Sequence, residues 1–168
     1  MTTHAGFEQL TLGKIKFLVL DVDGVLTDGG LYYTTGGEQF KRFNVKDGMA
    51  IKEVQKAGLR VAFLSAGSSA RIVEDRAKTL GVQLIYVGQE PKLEILKRWC
   101  SELSLELSQV AYVGDDINDV EVINEVGYSA CPADAVNDVK EAVQIVLMKN
   151  GGDACVREFV DEHLIKDI

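Results

Sequence analysis

The sequence is poor in everything that marks a disulfide scaffold, a linker or a membrane span. Its three cysteines, Cys100, Cys131 and Cys155, are odd in number, widely spaced and outside any C-x-x-C pattern. That argues against a disulfide framework or a zinc site and suits reduced thiols in a cytoplasmic protein. Only two prolines occur, Pro91 and Pro132, and neither marks a linker. No run approaches the roughly 18 consecutive apolar residues of a membrane-spanning helix. Met1 to Gly13 lacks a basic patch followed by an apolar stretch, so no secretory signal is expected. Runs of Lys and Arg are missing and the formal net charge is −8, which makes nucleic acid and anionic membranes poor partners. Internal repeats and low-complexity tracts are absent too. What is present is ordinary for a globular protein, and 168 residues make one domain, 1–168, with a core of its own.

Along the chain, apolar runs alternate with helical stripes. Lys14–Leu20 is a nearly continuous apolar run ending in Asp21, the pattern of a strand buried on both faces. Leu31–Tyr33 and Glu38–Val45 flank Thr34-Thr35-Gly36-Gly37, which predicts a β-hairpin within about residues 30–45. Asp47 reads as a helix N-cap, and Ala50, Ile51, Val54 and Ala57 follow at helical spacing until Gly58. Further strands are predicted at Leu59–Leu64, Val82–Val87, Gln109–Val113, Tyr128–Cys131 and Gln144–Met148. Helical stripes lie between them: Ile72, Val73, Ala77 and Leu80; Leu93, Leu96, Cys100 and Leu103; Val120, Ile123 and Val126. A last helix is expected near Ala154–Leu164, inside a tail of about 150–168. Repeated strand–helix units predict an α/β fold, a three-layer Rossmann-like parallel sheet with helices on both faces.

In such folds chemistry collects where strands end at their carboxyl edge. Asp21 and Asp23 end the first strand two residues apart, so both side chains can point to one side. One carboxylate can attack phosphorus while the other protonates the leaving alkoxide. Gly24 leaves room for backbone near a phosphate. On its own, D-x-D-G is equally a strand-to-turn signal. Asp115 and Asp116 end a later strand; grouped carboxylates suit Mg²⁺, although either, or Asn118, also serves as an N-cap. Asp119 stands where it can brace a ligand or a lysine. Ser65 runs into a small-residue turn able to donate to phosphate oxygens, and Lys92 opens a helix, an end less favoured for a cation.

Taken in order, Asp21-x-Asp23, Ser65, Lys92 and Gly114-Asp115-Asp116 with Asp119 resemble the four motifs of the haloacid dehalogenase-type phosphatases, over nearly the whole chain. The resemblance implies Asp21 as nucleophile and Asp23 as acid/base, with Ser65 and Lys92 binding the phosphoryl group. It also implies Mg²⁺ on Asp21, the Asp23 carbonyl and Asp115, supported by Asp116 and Asp119. Asp28-Gly29, the segment Phe43 to Gly48, Gly88-Gln89 and the tail Gly151 to Glu158 are similar to the capless subfamily acting on phosphorylated 2-keto-3-deoxy sugar acids. The gaps between motifs admit only the hairpin, as a flap in place of a cap domain. The subfamily resemblance implies 3-deoxy-D-manno-octulosonate 8-phosphate as substrate, in lipopolysaccharide precursor synthesis. It adds Gly24, Ala66, Asp47 and Arg157 as substrate contacts, and a homotetramer in which a neighbouring subunit completes the active site.

Two departures stand out: Ala66-Gly67-Ser68-Ser69 replaces the Gly-Arg usual after the motif-two hydroxyl, and Ala154-Cys155 replaces Gly-Ala in the tail. An ungapped count puts Ala66 rather than Ser65 at the hydroxyl position, but a loop absorbs an extra residue more easily than a strand does. A nine-carbon keto-sugar acid phosphate is the alternative substrate, and a catalytically inactive assembly module the alternative class. A signalling receiver domain would carry its acidic pair on the first strand and its phospho-acceptor Asp alone on a middle one, the reverse of the order here.

Overall fold

The computed structural model describes residues 14–164. Residues 1–13, where no signal is expected, and the last four residues of the tail lie outside the described residues. The strands are β1 (Phe17–Leu20), β2 (Tyr32–Tyr33), β3 (Gln39–Phe40), β4 (Arg60–Ser65), β5 (Leu84–Val87), β6 (Val110–Val113), β7 (Tyr128–Cys131) and β8 (Ile145–Val146). The α-helices are α1 (Val45–Lys56), α2 (Ala70–Leu80), α3 (Lys92–Leu103), α4 (Val120–Glu125), α5 (Asn137–Ala142) and α6 (Cys155–Phe159), the last prolonged by a wider turn through Leu164. Six strands form one parallel sheet in the order β5-β4-β1-β6-β7-β8, while β2 and β3 pair antiparallel as a separate flap.

Both faces of the sheet are covered, and the alternation of side chains shows why the strands are so apolar. Leu18 and Leu20 of β1, Val61 and Phe63 of β4, and Ala111 and Val113 of β6 pack toward α1, α2 and α6. Phe17 and Val19, Ala62 and Leu64, and Val110 and Tyr112 pack toward α3, α4 and α5. A strand buried on both sides has no position for a polar residue until it ends. Asp21, Ser65 and Gly114 are therefore where the polar chemistry begins. The chain runs outward from β1 through β4 to β5, then returns to the other side of β1 at β6. This reversal opens a crevice at the carboxyl ends of β1 and β6.

Three local expectations change. The helix after the hairpin begins at Val45, capped by the Asn44 side chain, which accepts from the Lys46 amide at 2.8 Å. Asp47 lies inside its first turn and is buried. The hairpin is shorter than its sequence suggests, with two residues paired on each strand and Thr27 bridging Phe43 at its base. Helix α5 was not expected, because Val139 is its one buried residue and a single apolar contact leaves no stripe to read.

Candidate active site

The loop that carries Asp21 leaves β1 with the Asp21 amide donating to the Val113 carbonyl at 3.0 Å, which ties it to the end of β6. Gly24 follows with φ +87°, a conformation glycine adopts without cost. A β-carbon there would stand 1.9 Å from Asp115 Oδ2, so the glycine also lets the two strand ends approach. Buried Thr27 closes the loop, its hydroxyl oxygen accepting from the amides of Gly24 (3.3 Å) and Gly29 (3.2 Å).

Lys92 opens α3 with its side chain turned into the sheet's edge. Its ammonium donates to Asp21 Oδ1 at 2.8 Å and to Asp119 Oδ1 at 2.6 Å, and all three residues are buried. Burial alone would lower the Lys92 pKa, but the carboxylates of Asp21 and Asp119 outweigh it and hold the pKa above the ordinary value. Asp119 spends both oxygens as a brace: Oδ1 also accepts from the Tyr112 hydroxyl, and Oδ2 accepts from the amides of Asp115 (2.9 Å) and Asp116 (3.1 Å). Asp116 is exposed and caps the following turn through the Ile117 amide at 2.7 Å.

Asp21, Asp115 and Asp119 each bring a carboxylate oxygen within 4.8 Å of the others. Burial first, then the facing carboxylates, pushes the pKa of both Asp21 and Asp115 up. Asp115 Oδ1 is buried with no hydrogen-bond partner. An orphaned carboxylate oxygen beside a second buried carboxylate, with oxygen donors throughout, fits a hard divalent cation such as Mg²⁺. The same pocket, about 170 Å³, is lined by Asp23, Ser65, Ala66, Gly67 and Asn118. Ser65 ends β4 opposite Val87, and its hydroxyl oxygen accepts from the Gly67 amide at 3.0 Å. The arrangement offers a buried carboxylate fixed by an ammonium, a second carboxylate at the mouth, and a pocket of phosphoryl size.

A family model of haloacid dehalogenase-like hydrolases matches residues 85–159. The 3-deoxy-D-manno-octulosonate 8-phosphate phosphatase KdsC of Escherichia coli (strain K12) is 41% identical over 148 residues, 88% of this chain and 78% of that protein. The chain belongs to this family of haloacid dehalogenase-like phosphatases. A crystal structure of a probable YrbI family phosphatase from Pseudomonas syringae is similar with TM-score 0.86 and 42% identity, covering 89% of this chain and 85% of that one. The octulosonate phosphatase of Moraxella catarrhalis, solved with magnesium, phosphate and KDO, is similar with TM-score 0.85 and 34% identity, over 89% of this chain and 86% of that one.

The structure brings the motif residues of this phosphatase family together, but not Asp47 and Arg157. Asp47 Oδ1 accepts from the Arg157 amide at 2.9 Å, where α1 meets α6, and the Arg157 guanidinium pairs with Glu53 at 3.0 Å and Asp161 at 2.7 Å. Neither residue lines this pocket. Both serve the packing of the tail on α1, because a buried helix start needs acceptors for its amides.

Two residues at the site escaped the sequence reading, and so did the part played by Gly151, singled out there only within the tail. Lys41, just after β3, pairs with Asp23 across 18 positions. Tyr112 hides its hydroxyl beneath the site, and no pattern distinguishes it from an apolar strand residue. Gly151 presses on the nucleophile loop, where a β-carbon would fall 1.8 Å from the Gly24 carbonyl oxygen.

Proposed function

We infer that the chain is a Mg²⁺-dependent phosphatase hydrolysing 3-deoxy-D-manno-octulosonate 8-phosphate to the sugar acid and inorganic phosphate, a step in lipopolysaccharide precursor synthesis. The observation that carries this is Asp21, buried at the end of β1, held by Lys92 and facing an Asp115 oxygen without a partner. Membership of the octulosonate phosphatase family supports the substrate.

In the first half-reaction an Asp21 oxygen attacks phosphorus, the P–O ester bond breaks, and the Asp23 carboxyl delivers its proton to the departing alkoxide. In the second, Asp23 takes a proton from water as that water attacks the aspartyl-phosphate, returning Asp21 and releasing phosphate. Lys92 neutralises Asp21 between turnovers and meets the phosphoryl oxygens, with Ser65 and the Ala66–Gly67 turn on the opposite wall. Asp21, Asp115 and the Asp23 carbonyl would hold Mg²⁺, which would supply positive charge beside the phosphoryl oxygens. Asp119 and Asp116 fix the positions of the others.

A pocket of about 170 Å³ accepts a phosphoryl group but falls short of the roughly 300 Å³ at which small-molecule sites begin. The sugar therefore extends past the flap, whose Leu31, Tyr33 and Phe40 stand exposed, as do Val45 and Met49 of α1. An apolar rim of this kind supports a homotetramer in which a neighbour's surface completes the site. The buried, unpaired Cys100, Cys131 and Cys155 suit the cytoplasm, and among the described residues no helix is long and apolar enough to cross a membrane. The test is phosphate release from the octulosonate phosphate by purified protein with Mg²⁺. Asp21→Asn, isosteric at the nucleophile, is expected to lose at least about 10³-fold in kcat while remaining folded. Substantial turnover by that variant, or undiminished turnover in excess chelator, overturns the mechanism.

A further inference from the structure

Lys41 belongs to the flap, and the flap is otherwise a solvent-facing element: Tyr33 is 60% exposed and Phe40, the residue before Lys41, 52%. The Lys41 side chain is only 8% exposed and donates from its ammonium to Asp23 Oδ1. A surface lysine normally keeps its head in water, and withdrawing an ammonium from water costs free energy unless a specific partner compensates. The second oxygen of the same carboxylate is confined from the opposite side. A β-carbon at Gly67 would stand 2.8 Å from Asp23 Oδ2, so the Gly67 backbone, which lines the pocket, closes that side. The flap is tied across the mouth at a second point, where the Ser69 hydroxyl donates to Gln39 Oε1 at 2.8 Å.

Two consequences follow for Asp23, whose side chain has no other hydrogen-bond partner among the described residues. Its rotamer is set by Lys41 rather than by its own loop. With Oδ1 occupied by the ammonium, Oδ2, on the side of Gly67, is the oxygen left to face a leaving group. We propose that Lys41 is the positioning residue for leaving-group protonation, through its hydrogen bond to Asp23 Oδ1. The flap thereby governs the acid step although it contributes no atom to the reacting centre. The inference rests on the phosphatase reading above, with Asp23 as the acid.

The test compares kcat/KM on three phosphate esters in Mg²⁺, because kcat/KM covers only the steps through formation of the aspartyl-phosphate. The octulosonate phosphate is an alkyl ester that carries a carboxylate; glycerol phosphate is an alkyl ester without one. The p-nitrophenyl ester has a leaving group that departs without a proton. Lys41→Met is expected to lose about 10²-fold on both alkyl esters, the scale of a misplaced catalytic group, and less than about threefold on the aryl ester. Lys41→Arg, which keeps a donor, is expected to recover most of the alkyl activity. Equal loss on all three esters makes Lys41 a structural or phosphate-binding residue and overturns the proposal. Loss confined to the sugar acid makes it a reader of the substrate carboxylate, and no loss at all removes it from the reaction; either overturns the proposal as well. If Lys41→Met does not fold, Lys41→Leu, which also lacks a donor, is judged by the same ratios. Failure of the wild-type protein to hydrolyse any of the three sinks the phosphatase reading itself, and this inference with it.

Discussion

Replacing Asp47 by asparagine is expected to make the protein more stable at neutral pH and to leave it nearly unchanged near pH 4. Asp47 is 1% exposed, accepts from the Arg157 amide through Oδ1, and has an Oδ2 with no hydrogen-bond partner. Burial is the main cause that pushes its pKa from 3.8 up to about 6; the amides of Arg157 and Val156 and the charges of Arg76 and Lys149 pull the other way. A pKa raised on folding means that between pH 4 and 6 the native state holds more protons than the unfolded chain. Stability therefore falls as pH rises through that window and levels off above it. The difference between 3.8 and about 6 corresponds to about 3 kcal/mol, at 1.36 kcal/mol for each pH unit. The asparagine side chain would keep the acceptor for the Arg157 amide and lose the charge. Its unpaired amide costs the same at every pH and cancels when two pH values are compared. The assay is urea denaturation of both proteins from pH 4 to 7.5 at one protein concentration, since any assembly adds its own stability. The variant's stability relative to wild type should rise by about 3 kcal/mol across the range. Parallel curves, or a shift in the wild type's favour, would refute the claim that Asp47 is a strained buried charge. Titration of Asp21 and Asp115 is common to both proteins and drops out of the comparison.

Two further outcomes are expected. Light scattering should give a mass near four times the chain's 18.4 kDa, and a monomer would refute completion of the site by a neighbour. Gly151→Ala, whose new methyl would fall 1.8 Å from the Gly24 carbonyl oxygen, must push the tail or the nucleophile loop aside. It is expected to destabilise by about 2 kcal/mol or more and to lower kcat, with thermal melting and phosphate release as the readouts.

How much of this was legible in the sequence depended on how far apart the partners lie. Asp21, Ser65 and Asp115 could be found because a strand buried on both faces is apolar until it ends, and the first polar residue after it is displayed at the crevice. Lys92 could be singled out because a cation at a helix start needs a reason, and its reason is Asp21 and Asp119. Asp47 was misplaced because two good capping residues stand three apart. Asn44 took the cap of α1, and Asp47 turned to amides 110 positions away on the tail. Lys41 looked like any charge on an exposed flap strand; only the folded chain shows its ammonium turned under the flap onto Asp23. Each miss is a contact between segments with no local periodicity to announce it.

The tail has a further consequence, for the timing of synthesis. The loop that carries Asp21 emerges early, yet its final shape depends on residues that follow it by more than 120 positions. The Gly152 amide and the Cys155 thiol both reach the Val25 carbonyl, at 3.0 and 3.3 Å, and the Asn44 side chain donates to the Gly152 carbonyl at 3.2 Å. Ribosomes extend a chain by about 5–20 residues per second, so the loop waits several seconds for these last contacts. A nascent chain halted before Gly151 can lay down β1, α1 and β4 while the Val25 carbonyl still lacks its partners from the tail. The loop thus takes its final shape only after Gly151 to Cys155 are made, and proteolytic loss of this segment would strip those contacts from it.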